Sequence, residues 1–307
     1  YRGKGLNMTS EKQQPHKQPD GQPVVGFIGL GAMGNRMAAN VAAAGFEMIC
    51  FDVAGTKERA PAGTAIAASV GGVAAKADVI ILSLPNGEIS AAVAEEIIES
   101  NQRAVSTIVD TSTIGVAAAK AVHGRLAGAD LAYMDAPVSG GIAGAAAGTI
   151  ALMFAGPKAE FEALSPVLKA MSKRPFHVGE EAGQAQAMKL LNNYLSGLAL
   201  TATSEAISFG LTQGLEMSTM LDVLNVSSGQ NTATSDKFPN RVLTETYDAE
   251  FLNTLYLKDI SLYVENVANA GTADTISTNL LPIWQRFTAA EPGADFTKIF
   301  PFVRDKR

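Results

Sequence analysis

The sequence contains a single cysteine, Cys50, within the apolar run Ile49–Phe51. One cysteine excludes an internal disulfide, and its neighbours favour a buried thiol, so we expect a reducing compartment, the cytoplasm. Basic residues are also few, since 24 lysines and arginines stand against 30 aspartates and glutamates, a formal charge of −6. That balance, with no dense basic run, argues against a nucleic-acid partner. No uninterrupted apolar run of ~18 residues occurs, so we expect no membrane-spanning helix.

Metal-ligating residues are equally sparse. The 3 histidines are His16, His123 and His177, and no cluster of histidine, cysteine and aspartate has ligand spacing. We therefore expect no metal site and give these histidines no functional role.

The length of 307 residues suggests two domains, and a hydrophobic fraction of 47% supplies ample material for their cores. Residues 1–23 differ from the rest, because they are rich in Gln, Pro, Lys and Gly and lack the apolar segment of a secretory signal. We expect a disordered tail here, or a leader that precedes a start at Met8.

The strongest pattern is a glycine-rich turn between an apolar run and a small-residue helical stretch. The apolar run Val24–Ile28 enters Gly29-x-Gly31-x-x-Gly34, with Leu30, Ala32 and Met33 between the glycines. In a dinucleotide-binding βαβ unit the first glycine permits the tight turn, the second lets the backbone approach a pyrophosphate, and the third lets the helix lie close to the sheet. The helix N-terminus then offers free N–H groups to the phosphates. The pattern predicts a dinucleotide site.

Asp52 indicates which dinucleotide. It ends the second apolar run, where a carboxylate accepts hydrogen bonds from a ribose 2′-OH and repels a 2′-phosphate. NAD is therefore favoured. Lys57 and Arg59 follow closely and would soften that repulsion, so NADP stays open.

Apolar runs alternate with helical stretches as far as about residue 180. After Asp52 we expect a small-residue helix near 62–69, and then further strands, two of which end at Leu84-Pro85 and at Thr111–Thr113. Such alternation predicts a parallel sheet with both faces covered, whose ligands bind beyond the carboxyl ends of the strands.

The pattern changes near residue 184. One long stretch from Gly183 to about Gly210 reads as a helix that is apolar or small on most faces, and further helical stretches follow at 216–226, 251–270 and 276–290. We expect an α/β, Rossmann-like domain over 24–184, then an all-helical domain over 185–307, joined by the long helix.

Two motifs outside the glycine-rich turn carry candidate chemistry. Ser139, Gly140 and Gly141 follow a short strand, and their hydroxyl and unobstructed N–H groups suit an anionic oxygen such as a substrate carboxylate. An ordinary glycine loop is the alternative to this carboxylate site.

Lys189 and Asn193 are four residues apart and share a face of the long helix. Burial would lower the lysine pKa toward the 7–8 that suits proton exchange, whereas a surface-seeking lysine is the alternative.

A third motif is Leu257-Lys258-Asp259, in a helical stretch of the second half. Lys258 could reach the cofactor or substrate, and a surface salt-bridged pair with Asp259 is the alternative.

Together, GFIGLGAMG, DAPVSGG, GQAQAMKLLNN and LKD resemble, in order and spacing, the motifs of the β-hydroxyacid dehydrogenase family. This family includes 3-hydroxyisobutyrate dehydrogenase and tartronate semialdehyde reductase. The resemblance implies NAD(P)-dependent interconversion of a small 3-hydroxy acid and its aldehyde or ketone, with Lys189 as general acid and base and Asn193 beside it. It implies that Ser139, Gly140 and Gly141 bind the substrate carboxylate.

The same resemblance implies cofactor contacts from Leu84, Pro85, Thr113 and Lys258. The family's polar residue four places after that proline is Ile89 here, which implies one lost contact. A homodimer or homotetramer is also implied, and the apolar long helix agrees with it.

Several alternatives remain at this stage. A tartronate semialdehyde reductase or a related short semialdehyde reductase would use the same motifs. An imine reductase generally departs from the helix lysine, so Lys189 with Asn193 argues against it. A non-catalytic nucleotide-binding scaffold should lack the lysine or the SGG turn, and this sequence has both. Asn231, Thr232, Lys237 and Phe238 lie in a predicted polar loop that we expect to line the substrate pocket.

Overall fold

The computed structural model describes residues 21–306, so the predicted tail lies largely outside the described residues. Nine strands form one sheet: β1 Val25–Ile28, β2 Met48–Phe51, β3 Ala65–Ile66, β4 Val79–Leu82, β5 Thr107–Asp110, β6 Ala132–Asp135, β7 Val138–Ser139, β8 Ala151–Ala155 and β9 Arg174–Gly179. The helices between them are α1 Gly34–Ala43, α2 Val70–Ala74, α3 Gly87–Glu99, α4 Val116–Ala127, α5 Gly141–Ala147 and α6 Lys158–Met171.

The sheet has the strand order β3-β2-β1-β4-β5-β6-β8-β7, with β9 paired to β8. From β3 to β6 every neighbouring pair is parallel, which confirms the prediction for this part, whereas β8 runs antiparallel to β6 and β7. The order 3-2-1-4-5-6 is that of doubly wound dinucleotide-binding sheets. Successive strands are added on one side of β1 up to β3 and on its other side from β4 onward, so the strand order reverses between β1 and β4. Ligands bind at such a reversal, next to the turn that follows Ile28.

Buried strands and helices on both faces form the core of this half. One apolar cluster joins Phe27, Met37 and Phe154, and a second joins Ile80, Ile97 and Leu126 on the other face. The residues of β1, β4 and β5 are all buried and those of β2 nearly so, without the alternation of a half-exposed strand, as expected for a sheet that is covered on both sides.

The predicted small-residue helix near 62–69 is wrong. Ala65–Ile66 instead forms an edge strand against Ile49 and Cys50, and α2 begins only at Val70. Ser69 has an extended backbone, and its side chain accepts a hydrogen bond from Gly72 N, which starts the helix there. Edge pairing with β2 therefore outweighs the helix preference of the small residues.

The described residues of the second half form helices joined by loops, with no strand. It contains α7 Gln184–Thr212, α8 Met217–Asn225, a π-helix Ala233–Val242, α9 Asn253–Ala270, α10 Thr275–Ala290, a short 3-10 turn Phe296–Lys298 and α11 Ile299–Arg304. Its core centres on aromatic side chains, among them Tyr256, Trp284 and Phe287. The sheet ends at Gly179 and α7 begins at Gln184, so the predicted domain boundary near residue 184 coincides with this change of architecture, although the division into domains stays an interpretation.

Helix α7 runs for 29 residues and belongs to both halves. Its first turn packs on the sheet, and its later turns pack on α9 and α11. At Gly197 an added Cβ would lie 1.9 Å from the Tyr256 hydroxyl, so glycine permits the close approach of α9. The buried side chains near the start of α7, Lys189 among them, are therefore held between the sheet and the helical half.

Candidate active site

A cavity of about 520 Å³ lies at the carboxyl end of the sheet, between the strands, α7, the π-helix and α9. It brings together most of the residues that the sequence singled out: Ala32, Met33, Leu84, Pro85, Thr113, Ser139, Gly140, Gly141, Lys189, Asn193 and Lys258. The glycines of the first turn and Asp52 do not border this cavity; they lie beside it, at the end of β1 and β2.

The glycine-rich turn has the close contacts that its pattern predicts. Gly29 has φ +93°, and a Cβ there would lie 2.2 Å from the Ser83 carbonyl oxygen. A Cβ on Gly34 would lie 2.1 Å from the Gly29 carbonyl oxygen, so both positions require glycine. A Cβ on Gly31 would meet nothing within 4 Å, which leaves the open space that a pyrophosphate needs. These residues fit a dinucleotide.

Asp52 is held against this turn. One of its carboxylate oxygens, Oδ2, accepts a hydrogen bond from Leu30 N at 2.6 Å, and Oδ1 accepts one from Ala54 N at 2.8 Å. The carboxylate is thereby fixed at the end of β2, and each oxygen keeps further acceptor capacity for a ribose hydroxyl.

Lys258 joins α9 to the edge of the sheet. Its ammonium donates to the Thr113 carbonyl oxygen at 2.7 Å and lies 3.3 Å from Asp259 Oδ1. The ion pair with Asp259 exists, but it lies at the cavity, where Asp259 is buried, rather than at the surface. Leu84 N, nearby, donates to Ser112 Oγ at 2.7 Å, which shapes the cofactor side of the same edge.

Lys189 is buried on the cavity wall, with 8% of its surface exposed. Among the described residues its ammonium has neither a hydrogen bond nor an ion pair within 4.0 Å. The Lys189 pKa is lowered to about 8, because burial and, to a smaller extent, the charge of Lys258 lower it and outweigh the charge of Asp259, which raises it. An amine with this pKa both accepts and donates a proton near neutral pH.

Asn193 lies one turn beyond Lys189 and is fixed by a carboxylate that the sequence did not identify as its partner. Its Nδ2 donates to Asp259 Oδ2 at 2.6 Å. Asn192 extends the chain of contacts, since its Nδ2 donates to Asn193 Oδ1 at 3.1 Å and to Ser139 Oγ at 3.3 Å. Asn192 was missed, although it stands three residues after Lys189 and shares its face.

The start of α7 is bound to the sheet by Asp135, a buried residue that the sequence analysis gave no role. Gly183 N donates to its Oδ1 at 2.8 Å, and Gln186 N donates to its Oδ2 at 2.9 Å. The Gln186 side chain accepts from Ile114 N at 2.9 Å and donates to the Ser112 carbonyl oxygen at 2.9 Å. Lys189 follows one turn later, so these contacts fix its position relative to the sheet.

The turn Ser139–Gly141 also borders the cavity. Gly140 has φ +137° and Gly141 has φ +66°, conformations that favour glycine. A Cβ on Gly140 would also lie 3.1 Å from Ile150 Cα. The turn is therefore specific to glycine and leaves its N–H groups unobstructed by side chains.

The predicted polar loop, 226–240, is non-helical in its first part, 226–231, but wrong for the rest. Residues 233–242 form a π-helix, and Phe238 is fully buried in the helical core rather than in the pocket. Asn231 caps the approach to this helix by accepting from Ala233 N at 2.8 Å, whereas Lys237 does border the cavity. The apolar Phe238 packs against Phe300, which makes the segment helical and turns its neighbour to the cavity.

Within residues 21–306 no group of three or more histidine, cysteine, aspartate and glutamate side chains could hold a metal ion. No described helix is both long and apolar enough to cross a membrane.

Two family models cover the chain. The NAD binding domain of 6-phosphogluconate dehydrogenase matches residues 24–179, and the NAD-binding domain of NADP-dependent 3-hydroxyisobutyrate dehydrogenase matches residues 183–303. Their shared boundary falls where the sheet gives way to α7.

Curated relatives match over most of the chain. The probable 3-hydroxyisobutyrate dehydrogenase of Mycobacterium tuberculosis is 31% identical over 288 residues, which covers 91% of this chain and 97% of the relative. The human mitochondrial 3-hydroxyisobutyrate dehydrogenase is 32% identical, covering 92% and 87%. The 2-(hydroxymethyl)glutarate dehydrogenase of Eubacterium barkeri is 34% identical, covering 78% and 81%.

Among solved structures, the M. tuberculosis 3-hydroxyisobutyrate dehydrogenase with L-serine aligns with a TM-score of 0.86 at 29% identity, covering 92% of this chain and 99% of that chain. An imine reductase of Streptomyces aurantiacus aligns with a TM-score of 0.60 at 20% identity, which is a likeness of fold alone. The glycine-rich turn, the long helix and these relatives agree, and the chain belongs to the β-hydroxyacid dehydrogenase family of NAD(P)-dependent oxidoreductases.

Proposed function

We propose that this protein interconverts a small 3-hydroxy acid, of the 3-hydroxyisobutyrate type, and its aldehyde or ketone. The observation that carries the proposal is the buried Lys189 amine, with a pKa of about 8, on the wall of the cavity that lies beside the glycine-rich turn. The names of the relatives at 31–34% identity support a hydroxy-acid substrate.

Lys189 is the proposed general base and acid. In oxidation its neutral amine accepts the proton of the substrate hydroxyl, and in reduction its ammonium returns a proton to the forming hydroxyl oxygen. Asn193, held by Asp259, is oriented toward the same part of the cavity and offers its amide to the substrate or to Lys189. The hydroxyl of Ser139 and the N–H groups of Gly140 and Gly141 bind the carboxylate.

The dinucleotide is held by the turn Gly29–Gly34 and by the edge residues Leu84, Pro85, Thr113 and Lys258. When bound, its nicotinamide ring supplies hydride acceptance or donation. NAD is the preferred form, because the Asp52 carboxylate lies at the end of β2, where it would repel a 2′-phosphate. Lys57 and Arg59 follow Asp52 closely in the chain, and their positive charges would partly offset its repulsion of a 2′-phosphate, so NADP is also accepted.

We also propose that the chain acts as a homodimer or homotetramer. Helix α7 exposes Met188, Leu191, Leu195 and Phe209, and Phe209 is 68% exposed. Apolar side chains along one long helix favour burial against a second copy. The buried, unpaired Cys50 agrees with a reducing compartment such as the cytoplasm.

A substrate panel tests the proposal. Nucleotide reduction is measured with NAD and with NADP on 3-hydroxyisobutyrate and other short 3-hydroxy acids, and the reverse reaction is measured on short semialdehydes, tartronate semialdehyde included. We expect turnover of at least one 3-hydroxy acid, with NAD preferred. Turnover of cyclic imines alone would assign the protein to imine reduction, and saturable nucleotide binding without any turnover would assign it a scaffold role.

A further inference from the structure

Lys237 lies on the wall of the cavity that faces the turn Ser139–Gly141. Lys237, Gly140 and Gly141 border the main cavity, and all three also border an adjoining cavity of about 390 Å³. The turn belongs to the sheet side of the cleft, whereas Lys237 belongs to the π-helix on the helical side. A small anion at the turn therefore lies in cavities that Lys237 also borders.

The turn itself offers only neutral donors. A hydroxyl and backbone N–H groups carry no net charge, so they form hydrogen bonds to a carboxylate but do not neutralise it. A carboxylate that leaves water for a partly enclosed cavity also loses hydration, which a cation compensates best. A basic side chain in the same cavity would therefore add the positive charge that the turn does not supply.

Basic side chains that border the two cavities are Lys189, Lys237, Lys258 and Arg241. Lys189 exchanges a proton in the proposed reaction, so it is neutral for part of the cycle. Lys258 already donates to a carbonyl oxygen and lies 3.3 Å from Asp259 Oδ1. Arg241 Nε lies 3.1 Å from Asp248 Oδ1. Lys237 is left as the candidate counter-ion.

Lys237 has no carboxylate within 4.0 Å among the described residues. Its ammonium lies 3.3 Å from the Thr232 hydroxyl and 5.9 Å from the centre of the Phe296 ring. The adjacent carboxylate of Asp236 accepts a hydrogen bond from Asn240 at 3.1 Å instead. Burial lowers the Lys237 pKa more than Asp236 raises it, as expected for a cation without a close partner. An arriving carboxylate would supply that partner.

We propose that Lys237 binds the substrate carboxylate from the wall opposite Ser139–Gly141 and supplies the positive charge that the turn lacks. The proposal rests on the proposed function, because it assumes a carboxylate substrate. Lys237 then fixes the orientation of the substrate and takes no part in proton transfer.

The test compares K237M and K237R with the wild type. We expect K237M to raise KM for a 3-hydroxy acid about 10- to 100-fold, the loss of one charged hydrogen bond, while kcat changes less than about threefold. K237R keeps the charge and should recover most of the affinity. K298M removes an exposed lysine of the same half that borders neither cavity, so its KM should equal that of the wild type.

A binding measurement keeps the proposal testable without turnover. Isobutyrate and isobutyramide are titrated calorimetrically into the enzyme saturated with NAD, and the wild type should prefer the anion. Loss of that preference in K237M and its retention in K237R would support the proposal, whereas the same preference in K237M would overturn it. A wild type that neither oxidises nor binds any small carboxylate would overturn the proposed function itself.

Discussion

Asn193 Nδ2 and Asp259 Oδ2 are 2.6 Å apart, and this hydrogen bond joins α7 to α9 at the wall of the cavity. The same carboxylate is the charge that raises the pKa of the nearby Lys189, in opposition to burial. Asp259 therefore acts on both members of the proposed catalytic pair, by orienting one and by holding the other at a pKa of about 8.

Replacing this carboxylate by an amide should shift the pH profile. In D259N the new side chain still accepts from Asn193, but the negative charge is gone, so the Lys189 pKa falls. Oxidation needs the neutral amine, so its rate rises with pH through that pKa, and we expect the acid limb of kcat/KM to move down by about one pH unit. The control is D236N, because Asp236 borders the same cavity but is not among the charges that shift the Lys189 pKa. The acid limb of its pH profile should coincide with that of the wild type.

Removal of the amine should abolish turnover but spare nucleotide binding. We expect K189M to lower kcat by about 10²- to 10⁴-fold, the usual contribution of a general acid or base, with the NADH dissociation constant changed less than about threefold by fluorescence titration. K189R keeps a positive charge that cannot be lost near neutral pH, so it should be as inactive as K189M. An active K189R would show that Lys189 acts as a fixed charge only.

Asp110 should make stability depend on pH in the direction opposite to most carboxylates. Burial raises its pKa from 3.8 to about 6, so the folded state binds a proton more tightly than the unfolded state. The free energy of unfolding then falls as pH rises between these values, by at most about 3 kcal/mol. D110N removes this dependence and should be the more stable form at pH 8 in urea denaturation. D130N, at an exposed site, should keep the wild-type dependence.

Substitutions at two glycines of the first turn should affect different properties, stability in one case and cofactor affinity in the other. G34A places a Cβ 2.1 Å from the Gly29 carbonyl oxygen, so its free energy of unfolding should drop by about 2 kcal/mol or more. G31A meets nothing within 4 Å and should unfold like the wild type, yet bind NADH about tenfold or more weakly. Unchanged NADH affinity in G31A would place the pyrophosphate elsewhere.

The nucleotide preference should reverse with two substitutions. Val53 follows Asp52 and is 93% exposed, so an arginine there has room to meet a 2′-phosphate. We expect D52S/V53R to raise the ratio of kcat/KM for NADP over NAD about 100-fold, because a repulsion is replaced by an ion pair. The neutral control D52S/V53Q should show a much smaller change, and an equal change would mean that charge at this loop does not set the preference.

The sequence predicted the parts of the site whose signals are local. Gly29, Gly31 and Gly34 could be read from one short segment, and Lys189 stood out as a charge on an apolar helix. Asp259 and Asp135 could not be read in this way, because each acts on a residue that is 66 or 48 positions away along the chain. Their partners became visible only once α7 was packed between the sheet and α9.

Two local predictions failed for related physical reasons. Residues 62–69 are small, and small residues distinguish poorly between a helix and an edge strand, so pairing with β2 decided the outcome at Ala65–Ile66. The segment around Phe238 looked polar, yet the burial of this one aromatic ring in the helical core determined its conformation. In both cases a contact distant in sequence outweighed the composition.

Asp135 ties the lysine-bearing helix to the same strand that leads, four residues later, into the turn at Ser139. The positions of the reactive amine and of the carboxylate-binding turn are thus both set by β6. The π-helix that carries Lys237 packs instead on elements of the second half, chiefly α8 and α7. Substitutions in the π-helix can therefore adapt this wall of the cavity to a longer or bulkier acid without changing the geometry of proton transfer.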